Sequence, residues 1–303
     1  MPELPEVQTI VDDLNKKIKG LTITDVWTDW PKYFRRSSGG FSAKGGPASG
    51  WEGFKKEIKN KKIEKVWRIG KNIIFSLRGN KDMLIHQKMT GHVLVGKWKF
   101  SDKKWISAEK GYLAEKVNGY IHIMFWFSNG AMMALSDLRK FAKILIFDDK
   151  DLKNSKDVKD IGPDPLLPSF NFGQFKVLIK KKRGPIKKVL MDQNVISGIG
   201  NIYADEILFV SEIHPLIKTE SLNDKKLRKI FESIKKILKK AIKLRGTSTS
   251  DYRDTAGKKG GYGDVRLVYQ KEGKQCHNKC GSAIKRIKIG SRSAHFCPNC
   301  QKI

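Results

Sequence analysis

The chain has 303 residues, 39% of them hydrophobic, with 15 Phe, 7 Trp and 7 Tyr. That is enough apolar material for one large or two ordinary domains, and too much for a disordered tail. The 61 Lys+Arg against 31 Asp+Glu leave a formal charge of +30, which favours a polyanionic partner without choosing between nucleic acid and an anionic membrane surface. No apolar run approaches a membrane span and no basic segment precedes an apolar core at the start, so the expectation is an intracellular protein, not secreted and not embedded in a membrane.

The chain begins MPELPEV, two prolines and two carboxylates ahead of a helical run. From Pro5 the apolar residues Val7, Ile10, Val11, Leu14 and Ile18 keep a helical period that Gly20 ends. Pro5 suits a first helical turn, where its missing N–H costs nothing. Short β-type stretches follow: LTITDVW, KIEKVWRI, NIIFSL, MLIHQKM, HVLVG, YIHIMFWF, AMMALSD and KILIF. Turn residues separate them, which predicts an antiparallel sandwich or barrel up to about residue 150. Within it, residues 37–50 are Gly/Ser-rich and read as a loop, and residues 97–118 read as an insertion.

Beyond IGPDPLLP the period becomes helical, in FGQFKVLIKKK, IKKVLMDQ, IYADEILFV and LRKIFESIKKILKKAIKL. A Gly/Lys/Tyr-rich stretch, residues 255–264, then leads to a short predicted strand, RLVYQ, and a cysteine cluster. Three segments are expected: a β-rich domain at 1–152, a helical domain at 153–268 and a metal-type hairpin at 269–303.

All four cysteines lie near the C-terminal end, as Cys276, Cys280, Cys297 and Cys300, in the pattern C-x3-C-x16-C-x2-C. None remains for disulfides elsewhere, which fits a reducing compartment. Two thiolate knuckles joined by a hairpin can complete a closed tetrahedral Zn2+ site, structural because no position is left open for substrate. His277 and His295 lie near enough in sequence to substitute. In SGIGNIYADEILF two glycines precede Asn201 and a helix, an arrangement that presents N–H groups to an anion or simply makes a tight turn. Lys181, Lys182, Arg183 and Lys187 upstream, and Lys285, Arg286, Lys288 and Arg292 in the hairpin, add candidate phosphate contacts or solvated basic faces.

In the β-rich half, HQKMTG carries Met89, and SDLRKFAKI carries Arg139 and Phe141. A thioether and a ring beside a guanidinium are the types that wedge into a duplex where a base is displaced, and equally common core residues. Lys71, in RIGKNIIF, reads either as a strand-end lysine or as a catalytic cation. At the N-terminus, removal of Met1 would expose Pro2 as a secondary amine titrating near 8, roughly, so that a useful fraction is a free nucleophile. Glu3 and Glu6 would supply proton transfer, or else serve as the carboxylates of an ordinary helix start.

Together these motifs resemble the formamidopyrimidine-DNA glycosylase / endonuclease VIII family. The resemblance runs in order through MPELPEV, RIGKN, HQKMTG, SDLRKF, IGPDPL, IKKVLMDQNVISGIGNIYADEILF, TAGKKGGYG and CPNCQK, and the PELPE opening looks like the formamidopyrimidine branch. It implies an α+β multidomain fold: an N-terminal β-sandwich with a leading helix, a helix-two-turns-helix domain and a C-terminal zinc ribbon. It implies a bifunctional glycosylase and abasic-site lyase acting on 8-oxoguanine and formamidopyrimidines in damaged double-stranded DNA, by β,δ-elimination. By resemblance, Pro2 is the Schiff-base nucleophile, Glu3 the acid, Glu6 its support, Lys71 a phosphate contact that assists β-elimination, and Arg292 the finger arginine. His122, Arg139, Lys182, Lys187 and Asn201 fall at DNA contacts, and Met89, Arg139 and Phe141 at the triad filling the gap left by an everted base. One structural Zn2+, a monomer and a cytoplasmic (nucleoid-associated) or other intracellular location complete the expectation. The alternatives are an oxidised-pyrimidine glycosylase of the endonuclease VIII kind and a non-catalytic zinc-ribbon nucleic-acid-binding protein.

Overall fold

Glu3 and Glu6 bracket the start of the first helix, α1 (Leu4–Lys17), as a reciprocal capping box: the Glu3 N–H donates to Glu6 Oε2 at 2.8 Å. Pro5 sits in the first turn and Lys16 and Lys17 in the last, where each suits the helix ends. Val7, Ile10 and Leu14 lie fully buried on one face, as their spacing predicts. The computed structural model describes residues 1–34, 50–249 and 251–303, so all of the expected 37–50 loop but Gly50 lies outside the described residues. The chain divides into two units, Met1–Asp160 with Arg245–Gly261, and Ile161–Leu244 with Tyr262–Ile303.

In the first unit α1 is followed by β1 (Ile23–Thr28), α2 (Trp51–Ile58), β2 (Ile63–Ile69), β3 (Asn72–Leu77), β4 (Lys81–His86) and β5 (His92–Gly96). Next come β6 (Trp98–Ser101), β7 (Lys104–Ser107), β8 (Ile121–Phe127), β9 (Met132–Ser136), β10 (Lys143–Asp148) and a short α3 (Asp149–Leu152). Two antiparallel four-stranded sheets, in the orders β1-β8-β9-β5 and β10-β4-β3-β2, form the expected sandwich. Val26, Ile123, Phe125 and Leu135 from one sheet share a core with Val66, Phe75, Met83 and Ile85 from the other and with α1. Strand β8, IHIMFWF, is apolar on both faces, so its outer face also needs cover. The 97–118 segment, with the β6–β7 hairpin at its start, provides it: Trp98 and Leu113 pack with Leu94, Met124 and Met132, and Trp105 makes edge contacts with Trp27 and Trp126.

The second unit holds α4 (Phe172–Lys180), α5 (Ile186–Leu190), α6 (Asn201–Val210), α7 (Asp224–Lys243) and a hairpin of β11 (Lys285–Ile289) and β12 (Arg292–Phe296). Asn171 and Asn223 cap α4 and α7 by accepting the N–H groups of Gln174 and Lys226. Helix α6 is apolar nearly all round and buries two adjacent carboxylates, Asp205 and Glu206. Asp205 accepts the His295 backbone N–H at 2.9 Å and lies 2.6 Å from Lys187 Nζ, which also donates to Ser293 O at 2.5 Å. Glu206 accepts the backbone N–H groups of Leu267, Val268 and Tyr269 and the Tyr262 hydroxyl.

The expected strand RLVYQ does not form for that reason. The N–H groups of Leu267, Val268 and Tyr269 converge on one carboxylate instead of a neighbouring strand, and residues 267–270 form bends and a turn. Lys187 is 1% exposed, so its removal leaves a buried carboxylate without its cation. Lys187→Met is expected to cost about 3–5 kcal/mol in denaturant unfolding; a loss within about 0.5 kcal/mol, the range of a surface change, would contradict this role.

Candidate active site and nucleic-acid interface

The beginning of the chain is buried: Pro2, Glu3 and Glu6 are covered, and only Met1 is exposed. Glu6 is held from both sides, Oε2 by the Glu3 N–H and Oε1 by the Thr247 N–H at 2.6 Å. Gly246 precedes Thr247 at φ +79°, and a Cβ there would fall 2.6 Å from Glu6 Oε1. Only glycine permits that approach and that backbone conformation. The Tyr252 hydroxyl donates to Arg245 O at 3.2 Å, and burial pushes its pKa well above the phenol value. Arg245 in turn bridges Asp13 and Asp254. The α-amino group, on Met1, is held below its ordinary value by burial, opposed by the charges of Glu3 and Glu6 and assisted by that of Lys71. Lys71 therefore belongs to the N-terminal group; it sits with Gly70 in the turn between β2 and β3.

A second cluster forms around Asp137, which is fully buried. Its Oδ1 accepts the Thr90 hydroxyl and the Arg139 N–H, and its Oδ2 accepts the Ala142 N–H at 2.7 Å and the Tyr33 hydroxyl at 3.3 Å. That carboxylate raises the Tyr33 pKa further, after burial. One acid thus ties the 137–142 loop to the Met89 loop. Above it Met89 is 39% and Phe141 52% exposed, and the Arg139 guanidinium lies 4.6 Å from the Phe141 ring centre. Exposed apolar groups on a hydrogen-bonded base are what insertion into a base stack requires.

His86 and Gln87, at the root of the Met89 loop, carry no spacing signal in the sequence. His86 Nδ1 accepts the Lys88 N–H at 2.9 Å, which leaves its proton on Nε2. Desolvation and the charges of Lys88, Lys71 and Lys143 press its pKa down to about 3. Gln87 is 1% exposed, and neither amide atom has a hydrogen-bond partner among the described residues. His122 pairs with Asp29, its Nδ1 2.9 Å from Asp29 Oδ1.

In the second unit a cleft of about 560 Å3 is lined by Lys182, Arg183, Lys188, Gly290, Ser291 and Arg292 among others. Arg292 is exposed at the start of β12, across the two-residue turn from Ile289. Lys182 Nζ lies 3.2 Å from Asp192 Oδ2. Asn201 opens α6 with its Oδ1 buried and without a hydrogen-bond partner among the described residues. Lys187 departs from the expected surface contact, because its ammonium is neutralised internally by Asp205.

The four cysteine Sγ atoms all lie within 4.8 Å of one another, a set fit to hold a metal ion. The longer first knuckle still brings Cys276 and Cys280 into that set, with Lys279 at φ +52° between them. His295 is not among the ligands: its Nδ1 faces Asp205 at 3.0 Å.

The formamidopyrimidine-DNA glycosylase N-terminal domain model matches residues 1–144, the H2TH domain model of the same enzyme residues 161–253, and a zinc finger found in FPG and IleRS residues 273–303. The chain belongs to the formamidopyrimidine-DNA glycosylase family. It is 34% identical over 302 residues to the formamidopyrimidine-DNA glycosylase of Listeria innocua, with the whole of both chains covered. It is 30% identical to the Lactococcus lactis Fpg in complex with DNA containing an abasic site, at TM-score 0.82, covering 99% of this chain and 100% of that one. The same enzyme bound to DNA containing FAPY-dG matches at 30% identity and TM-score 0.81, with the same coverage. The order of sandwich, H2TH helices and cysteine hairpin is thus a family property.

Within that fold, His86 makes a specific pH dependence. Its folded pKa lies below the ordinary value, so the unfolded chain binds a proton that the folded chain does not, and stability falls as pH drops from about 6.5 towards 3. The His86 ring signals are expected to stay those of a neutral Nε2–H imidazole between about pH 5 and 8; a titration midpoint in that range, followed by NMR, would contradict the enclosure described.

Proposed function

We propose that this DNA glycosylase excises oxidised purines, formamidopyrimidines and 8-oxoguanine, from duplex DNA and then cleaves the strand, with the Pro2 amine as nucleophile once Met1 is removed. The observation that carries this reading is the desolvated α-amino end beside Glu3, Glu6 and Lys71. Removal of Met1 moves the amine one residue inward, to a buried proline among the same charges. The free-base form of that amine is the one an attack on a sugar carbon requires.

The amine lone pair bonds to C1′ while Glu3 protonates the sugar ring oxygen, and the base departs with the glycosidic electron pair and a proton. Loss of the ring C–O bond leaves an iminium, which acidifies C2′ and allows β-elimination of the 3′ phosphate and then δ-elimination of the 5′ phosphate. Glu6 fixes the Glu3 backbone by its hydrogen bond. Lys71 contacts phosphate and assists β-elimination, and Arg292 contacts phosphate from the cleft of the second unit. Lys182 and Asn201 extend that surface, and His122 adds a contact in the first unit. Met89, Arg139 and Phe141 fill the gap left by the everted base, and this set supports the purine branch over the pyrimidine one. The segments 1–152, 153–268 and 269–303 carry the chemistry, the helical DNA contact and the finger, except that Arg245–Gly261 belongs with the first unit. The enzyme acts inside the cell as a monomer.

The four cysteines fit Zn2+: tetrahedral Zn–S bonds of roughly 2.3 Å imply sulfurs about 3.8 Å apart, against 3.4 Å for Cys280–Cys297 and 3.8 Å for Cys276–Cys300. Zn2+ supplies folding energy to a two-stranded hairpin that is marginal alone. A chelator, or Cys300→Ser, is therefore expected to lower the melting temperature and to weaken DNA binding, both read against untreated protein; unchanged melting would exclude a structural ion.

Borohydride trapping tests the chemistry. Tag-free protein is expected to form a covalent complex with duplexes containing 8-oxoguanine or a formamidopyrimidine, and little with thymine glycol. Glu3→Gln is expected to lose base excision while retaining part of its reaction at a preformed abasic site. Absence of any covalent complex would refute the Pro2 assignment, and a preference for thymine glycol would move the enzyme to the pyrimidine branch.

A further inference from the structure

The 97–118 segment takes no part in the chemistry above, yet its C-terminal end reaches a wall of the N-terminal site. That wall is the stretch Asp251–Gly261. On one side it is anchored near Glu6: the Thr247 N–H donates to Glu6, the Ser248 hydroxyl accepts the Gly260 N–H at 3.0 Å and donates to Tyr252 O at 2.7 Å, and the Asp251 charge acts on the α-amino group.

Its other side is held by the 97–118 segment through a fully buried amide, Asn118. Asn118 Nδ2 donates to Tyr112 O at 2.6 Å and to Gly257 O at 3.4 Å. With the amide N–H groups directed at two carbonyls, Oδ1 is the atom that accepts from His92 Nε2, at 2.9 Å. His92 Nδ1 lies 3.2 Å from Thr90 O, and the Thr90 hydroxyl is the one bound to Asp137. One side chain therefore touches the wall, the 97–118 segment and, through His92, the base of the Met89 and Arg139 loops.

Three further contacts run in parallel. Glu115 pairs with Arg253 at 3.6 Å, and Lys258 Nζ stands 5.3 Å over the Tyr112 ring. Gly257, at φ +79°, lies so close that a Cβ would meet the Tyr112 carbonyl carbon at 3.0 Å and the Leu113 N at 3.1 Å. The wall residues DTAGKKGG bring little apolar surface of their own, so their position depends on such tethers.

We infer that the 97–118 segment is a brace that sets how closely the Asp251–Gly261 wall covers a base drawn towards the N-terminal amine, with Asn118 as its positioning residue. The inference rests on the reading of that amine as the nucleophile. It makes a distinction that a general structural role does not. Excision needs the wall against a base, whereas cleavage at a preformed abasic site has no base to hold.

Asn118→Ala is expected to slow single-turnover excision of a formamidopyrimidine by about tenfold, the effect of roughly 1.4 kcal/mol of lost hydrogen bonding. Trapping and cleavage at a preformed abasic site should stay within about twofold of wild type, and the amides of Thr255–Gly261 should exchange faster while those of α1 do not. At exposed Tyr112, the Ala variant should move excision the same way by a smaller factor, and Tyr112→Phe, which retains the ring under Lys258, should restore it. Equal loss of both activities, or unchanged excision, would overturn the brace. If the wild-type protein traps neither substrate, the nucleophile reading fails, and the exchange of Thr255–Gly261 in Asn118→Ala alone decides the brace.

Discussion

The architecture of the N-terminal site depends on the Glu6 carboxylate. One oxygen holds the backbone N–H of Glu3 and the other that of Thr247, joining the first residues to a segment more than two hundred positions later. A buried carboxylate is costly unless each oxygen is satisfied by well-aimed donors, so both chain segments must be in place together. The close approach that leaves only glycine at 246 follows from the same constraint. What looks like a frayed terminus is a cross-linked one.

The same device recurs. Asp137 gathers the Thr90 hydroxyl and three other donors, and in doing so fixes the spacing of Met89, Arg139 and Phe141 above it. Asp205 and Glu206, adjacent on α6, hold the cysteine hairpin and the segment leading into it. In a chain carrying +30 overall, these few acids are used internally as splints for backbone N–H groups, while the excess lysine and arginine is left for a polyanion. Each splint exchanges solvated N–H groups for charge-assisted bonds, the stronger class of hydrogen bond.

Much of the fold was legible because its signals are local. The helical period from Pro5, the alternation and β-branched content of the eight strand stretches, and the cysteine spacing depend only on residues near one another, and each element formed where its pattern lay. RLVYQ has the composition of a strand and forms none for a physical reason: a carboxylate some sixty residues earlier takes its N–H groups. Lys187 has the sequence surroundings of a surface cation, among basic neighbours, and sequence has no means of showing that Asp205 faces it. His86 and Gln87 went unnoticed because a lone histidine and a lone amide carry no spacing signal.

The amino-acid sequence by itself determined the family, the order of sandwich, helices and cysteine hairpin, and the residue types available at the chain start, because periodicity and short motifs are written in adjacent positions. The tertiary structure decided which charges surround the α-amino group, which lysine is buried, and that the 97–118 segment meets the Asp251–Gly261 wall. Those facts depend on pairs such as Glu6 with Thr247, Lys187 with Asp205 and Asn118 with Gly257, distant in the chain and brought together only when the sheets and helices pack.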